Sequence, residues 1–130
     1  MKILIVDDSK LLRERLLNLI SEISGVEVVG TAENALSGYN SAKILLPDIA
    51  IVDISMPGGG GIKLLQQIKK DLPSVVVIIL TNYPFPKYRE KCNELGADYF
   101  FSKLKDIDNL TKLIGELSTQ RTLNMQETIK

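Results

Sequence analysis

Three stretches of this chain are short, apolar and uninterrupted: ILIV at 3–6, IAIV at 49–52 and VVVIIL at 75–80. A strand with one face in water alternates polar and apolar residues. These runs do not alternate, so both of their faces must be covered, as happens when helices flank a parallel sheet. VEVVG at 26–30 carries a glutamate inside its run and suits an edge strand, and DYFF at 98–101 is a fifth candidate. The segments between them have helical spacing. Leu12, Leu16, Leu19, Ile20 and Ile23 form one stripe, and Leu110, Leu113, Ile114 and Leu117 another. Residues 35–45 and 62–68 fill two further gaps, while Tyr88, Cys92 and Leu95 make a thinner stripe. The order βαβαβαβαβα follows, with a parallel sheet between two helical layers.

A chain of 130 residues suits one such domain without a disulfide or metal staple. Sixteen basic and sixteen acidic residues cancel, so no charge excess points to nucleic acid or an anionic membrane. Histidine is absent, which removes imidazole acid–base chemistry and most zinc sites. The opening MKILIV is apolar for four residues before two aspartates, too short for a signal core or a membrane span. A cytoplasmic protein that neither contacts nucleic acid directly nor inserts in a membrane is expected. Residues 1–118 are expected to form the domain. Residues 119–130, polar and without a clear periodic face, are expected to be a tail or an extension of the last helix.

Open parallel sheets bind ligands beyond the carboxyl ends of their strands, where strand order reverses. Strand one ends in Asp7 and Asp8, strand three in Asp53 and strand four in Thr81, while strand five leads to Lys103. Each has an ordinary reading. Asp8 would cap the first helix with Asp7 solvated, Asp53 would be a turn residue, and Thr81 and Lys103 would be surface residues. No structural rule, however, puts all five at the same end of the sheet. Three carboxylates this close repel one another unless a cation sits among them, and a hard ion such as Mg²⁺ fits their oxygens. A metal, an ammonium and a hydroxyl around one aspartate are what phosphoryl transfer to a carboxylate requires.

The segments ILIVDDS, IVDISMPG, ILTN and GADYFFSK closely resemble the receiver domain of two-component response regulators, in its single-domain, chemotaxis-regulator-like form. The resemblance runs from Met1 to about Leu117. It implies a flavodoxin-like, doubly wound five-stranded sheet of order 2-1-3-4-5 with five helices. It implies that Asp53 accepts a phosphoryl group from a sensor histidine kinase or histidine phosphotransfer protein. Asp7, Asp8, Asp53 and the backbone carbonyl of Ser55 would hold Mg²⁺, Lys103 would pair with the phosphoryl oxygens, and Thr81 would turn its hydroxyl toward them. Phe100 stands where the family keeps an aromatic that changes rotamer on activation. The implied protein is a monomer or weak dimer, stand-alone and not an enzyme beyond its own phosphorylation and dephosphorylation. A relay intermediate and a fragment of a longer regulator are the alternatives, and its downstream protein partner is unspecified. Its signal is expected to leave through helix four, strand five and helix five.

Three positions depart from the family pattern. Leu104 follows Lys103 where proline in a cis peptide is usual, so this bond is expected to be trans; a non-proline cis bond costs about 2.5–4 kcal/mol. Gly60 takes the place of an acidic or asparagine cap before the third helix. The switch aromatic is phenylalanine rather than tyrosine.

The glycines of DISMPGGGG at 53–61 lack the Gly-Lys-Ser/Thr core of a nucleotide loop. Strand and helix resume too soon on either side for a linker. They read as a loop of low backbone restraint beside Asp53, or simply as tight-turn residues. Cys92 reads as a packed small side chain. Tyr83 and Phe85, each before a proline, read as an interaction patch or an irregular helix start. An aspartyl-phosphate phosphatase would need a second acid two residues after its nucleophile, and Ser55 stands there. A flavin binder would need a phosphate loop after strand one, and VDDS would repel a phosphate.

Overall fold

The computed structural model describes residues 1–129, with side-chain surroundings as far as Met125. Five strands and five helices alternate: β1 Lys2–Val6, α1 Lys10–Ser21, β2 Glu27–Ala32, α2 Ala35–Leu45, β3 Ile49–Val52, α3 Gly60–Asp71, β4 Val76–Thr81, α4 Pro86–Glu94, β5 Tyr99–Ser102 and α5 Ile107–Ile129. A single 3₁₀ turn, Pro57–Gly59, precedes α3. All strand pairs are parallel and the order is β2-β1-β3-β4-β5, as the resemblance implied.

The unbroken runs are explained by the two cores. Leu4, Val6, Ala50, Val52, Val77 and Ile79 point to one face, where Leu64, Leu65, Ile68 and Cys92 meet them from α3 and α4. Ile3, Ile5, Ile49, Ile51, Ile78 and Leu80 point to the other, against Leu16 and Ile20 of α1 and Leu110 and Ile114 of α5. Successive strand residues face opposite sides, so a strand covered on both needs apolar residues at every position. β2 lies at the edge, and Val28, Val29 and Gly30 within it are only half-buried.

Order 2-1-3-4-5 makes the chain turn back between β1 and β3. The first connection from β1 leads outward to β2, and the next returns across to β3. The loops after β1 and β3 therefore diverge and leave a crevice between them. Asp7 and Asp8 stand on one side of it and Asp53 on the other.

Ser9 rather than Asp8 caps α1, its Oγ accepting the Leu12 N–H at 3.3 Å. The α3 cap lies one residue earlier than the sequence pattern indicated. Gly59 occupies it with φ 69° and no side-chain bond, and Gly60 is the first helical residue. α4 is held thinly. Cys92 is its one fully buried residue, Tyr88 is half-buried, and Lys87, Arg89, Glu90, Lys91, Asn93 and Glu94 are exposed. α5 continues beyond Leu117 to Ile129.

Candidate functional site

Asp53 follows the last residue of β3, and its N–H still donates to Val6 O of β1 at 3.0 Å, so the sheet itself fixes its backbone. Its side chain turns back into the crevice and is 1% exposed. Oδ1 accepts two bonds from Ser55, one from the backbone N–H at 2.8 Å and one from the hydroxyl at 2.6 Å. Oδ2 lies 3.2 Å from Lys103 Nζ without hydrogen-bond geometry, and it is the buried side-chain oxygen left without a hydrogen bond among the described residues.

Asp7 is almost as buried, at 2%. Its Oδ1 accepts the Ser9 N–H at 2.8 Å, and Oδ2 pairs with Lys103 Nζ at 2.8 Å. Burial is the largest influence on this carboxyl and raises it above the usual carboxylate range; the Asp53 charge adds to that, against the lowering effects of Lys103 and Ser9. Burial alone would lower Lys103. The hydrogen bond to Asp7 and the charges of Asp53 and Asp7 outweigh it, so the ammonium is held above its ordinary value. Asp8 is exposed, and its carboxylate makes no hydrogen bond or ion pair among the described residues. With Ser9 capping α1, the reading of Asp8 as a helix cap falls away.

One oxygen from each of Asp7, Asp8 and Asp53 lies within 4.8 Å of the others. Two features of the cluster suit a small divalent cation. Its donors are hard carboxylate oxygens, and two of the three carboxylates, those of Asp7 and Asp53, are buried, where water screens their charge little. Among the described residues Lys103 is the cation paired with this cluster, through Asp7 and Asp53, so a second cation would be welcome beside the three carboxyl groups.

Thr81, the last residue of β4, is fully buried, and its Oγ1 accepts the Tyr83 N–H at 2.9 Å. Lys103 follows β5, its N–H donating to Thr81 O at 2.8 Å, which continues the β4–β5 ladder to the edge of the site. The Lys103–Leu104 peptide is trans, as expected without proline, and Leu104 is 83% exposed. Phe100 is buried against the α4 side of the sheet, with the Arg89 guanidinium 4.7 Å from its ring centroid. A pocket of about 300 Å³ adjoins Ser55, lined by Ile54, Gly59, Ile62, Tyr83 and Tyr88. Tyr83 and Phe85 stack beside it with centroids 6.4 Å apart, and both are exposed; Phe85 is the residue from which α4 starts, which matches the reading of this pair as a helix start.

Two contributions to the site were missed in the sequence. The Ser55 hydroxyl bonds Asp53 directly, whereas the resemblance offered only the Ser55 carbonyl. Gly61 packs its backbone against the acceptor residue: a Cβ built there would lie 2.1 Å from Asp53 O and 2.3 Å from Ile54 Cα. Gly58 and Gly59 have φ of 72° and 69° with open space around them. The glycine run thus combines a left-handed turn with a close backbone approach, and only the turn was legible from composition.

Comparison with known proteins agrees with this geometry. Residues 3–115 match the family described as the response regulator receiver domain. The transcriptional regulatory protein LnrK of Bacillus subtilis (strain 168) is 34% identical over 113 residues, covering 87% of this chain and 51% of that protein. Among solved structures, a LuxR-family two-component response regulator from Aurantimonas sp. SI85-9A1 superposes with TM-score 0.84 at 28% identity, covering 92% of this chain and 85% of that one. A CheY-like response regulator receiver domain protein from Methanospirillum hungatei JF-1 gives TM-score 0.82 at 26% identity, covering 95% and 97%. The chain spans 34–59% of the length of the first curated relatives it matches.

Proposed function

The chain belongs to the response regulator receiver domain family, and from that premise we propose that it is a phosphoryl-accepting switch in which Asp53 is the acceptor. The observation that carries this is the state of its carboxylate. Oδ1 is held by Ser55 while Oδ2 is buried, faces an ammonium and carries no hydrogen bond. An oxygen so placed is oriented and only weakly solvated, as a nucleophile toward phosphorus should be.

In this reading a phosphohistidine of a sensor kinase or phosphotransfer protein donates the group. Asp53 Oδ2 forms the new O–P bond and the phosphohistidine N–P bond breaks. Lys103 balances the charge that builds on the phosphoryl oxygens, and the Thr81 hydroxyl, free to donate while its oxygen accepts from Tyr83, turns toward them. Asp7, Asp8, Asp53 and the Ser55 carbonyl would hold Mg²⁺, which supplies charge neutralisation when bound. Output follows when Thr81 moves and Phe100 repacks beneath Arg89, shifting the thinly anchored α4 at low cost. Residues 1–118 would be the receiver unit and 119–130 its polar tail or helix extension, of which residue 130 lies outside the described residues. We take the protein to act in the cytoplasm as a signalling module whose only catalysis is of its own phosphorylation state. No helix among the described residues is long and apolar enough to cross a membrane.

Intact-mass analysis after incubation with acetyl phosphate and Mg²⁺ tests the acceptor. One phosphoryl increment is expected in wild type and none in Asp53→Asn or in EDTA. An unchanged increment in Asp53→Asn would place the acceptor elsewhere.

A further inference from the structure

Among the described residues the Asp8 carboxylate makes no hydrogen bond or ion pair, yet it stands with Asp7 and Asp53 in the carboxylate cluster. Its position is set by what holds its neighbours. Asp7 N–H donates to Ala32 O at 3.0 Å, the Ser9 N–H donates to Asp7 Oδ1 at 2.8 Å, and Ser9 Oγ caps α1. The remaining restraint comes from a side chain one helical turn along. Arg13 Nη1 donates to the Asp7 carbonyl at 2.7 Å, and Arg13 is half-buried over the β1–α1 turn. That carbonyl belongs to the peptide plane joining Asp7 to Asp8. Fixing it fixes the N–Cα bond of Asp8, and with the following peptide held by the Ser9 N–H bond to Asp7 Oδ1, the direction in which the Asp8 side chain leaves the backbone is set.

We infer that Arg13 is a positioning residue for the metal site, clamping the Asp7–Asp8 peptide so that both carboxylates face the same cation. The inference rests on the reading of Asp7 and Asp8 as metal ligands. It opposes the simplest electrostatic expectation. Arg13 carries a positive charge within a few residues of the cluster, so as a mere charge it disfavours a divalent cation, and its removal should tighten binding. As a clamp it favours the cation, and its removal should loosen binding. The two roles have opposite signs.

Isothermal titration of the metal-free protein with MgCl₂, well below its melting temperature, separates them. Arg13→Met is expected to bind Mg²⁺ about three- to tenfold more weakly than wild type, the factor carried by one typical intramolecular hydrogen bond. Arg13→Lys, which keeps a charged donor, is expected to recover most of that loss. Lys10→Met removes a nearby positive charge from the same helix without touching the clamp, since Lys10 is exposed and, among the described residues, pairs with Glu14 at 3.9 Å; it is expected to bind as tightly as wild type or slightly more so. Arg13→Met binding at wild-type strength or tighter, or Lys10→Met weakening as much as Arg13→Met, overturns the clamp. If Arg13→Met does not fold, Arg13→Gln is read in the same way. Absence of Mg²⁺ binding by wild type would instead bring down the metal-site reading, and the clamp with it.

Discussion

The two ends of the sheet use the same residue type in opposite ways. At the amino end, Asp48 stands one residue before β3 and Asp98 one residue before β5. Each locks the neighbouring strand with two bonds. Asp48 N–H donates to Lys2 O at 2.8 Å while its Oδ2 accepts Lys2 N–H at 2.7 Å. Asp98 N–H donates to Val77 O at 2.9 Å while its Oδ2 accepts Val77 N–H at 2.8 Å. Each also has a cation to itself, Arg121 for Asp48 and Lys69 for Asp98. At the carboxyl end, Asp7 and Asp53 share one lysine, and a buried oxygen is left over. Electrostatics follows the same division. Burial pushes Asp48 upward, but Arg121 and the Lys2 N–H outweigh it and hold the carboxyl below its ordinary value, whereas Asp7 is raised. One end spends its acids on closing the sheet, and the other leaves them in excess where a ligand would meet them.

The largest effect is expected from Gly61→Ala. A Cβ 2.1 Å from Asp53 O meets backbone that cannot turn aside, so the β3–α3 junction must move. A loss of more than about 3 kcal/mol is expected in chemical denaturation, at the upper end of single-residue effects. A loss below about 1 kcal/mol would mean that the junction is soft and that the site is not built on a rigid frame.

Next come matched removals of one acid from each end. Asp98→Ala leaves the buried Val77 N–H without its partner and is expected to cost about 1–3 kcal/mol. Asp53→Asn, measured without metal, removes a carboxylate from an overcrowded cluster while Lys103 keeps Asp7 at 2.8 Å. Its melting temperature should equal or exceed that of wild type. If the two variants lose the same stability, the contrast between the ends is broken.

The smallest effect lies in the acid limb of stability. The folded-state Asp48 carboxyl is held below the ordinary value of 3.8, so the unfolded chain takes up its proton first as the pH falls. The stability this residue contributes is therefore present above 3.8 and is lost as pH falls through the depressed value. Urea midpoints measured across that range should fall less steeply in Asp48→Asn than in wild type. Parallel curves would show that Arg121 does not hold this carboxylate.

Much of the site was legible in the sequence because each of its principal side chains ends or follows a strand. Once unbroken apolar runs fix a two-sided parallel sheet, the residue after each run is committed to the carboxyl edge, and Asp7, Asp53, Thr81 and Lys103 are found there together. α4 was legible for a similar reason, since a stripe of Tyr88, Cys92 and Leu95 can bury little. The α3 cap was placed one residue late because four glycines in a row carry no side-chain signal to set the register.

What the sequence alone determined is the pattern of burial and therefore the layers, the alternation of elements and the edge where the chemistry gathers. Those follow from periodicity, which is local. Tertiary structure alone decided which oxygen is satisfied. Asp7, Asp48, Asp53 and Asp98 all flank strands, and although position assigns the first and third to the carboxyl end and the others to the amino end, it does not show what each carboxylate meets. Two face an unpaired N–H of the neighbouring strand and a private cation, and two face each other across a crevice with one shared ammonium. That difference depends on residues far away in the chain, Lys2 for Asp48 and Lys103 for Asp7 and Asp53. Hydrogen bonds and charges act over a few ångströms, so only the folded chain brings those partners within reach.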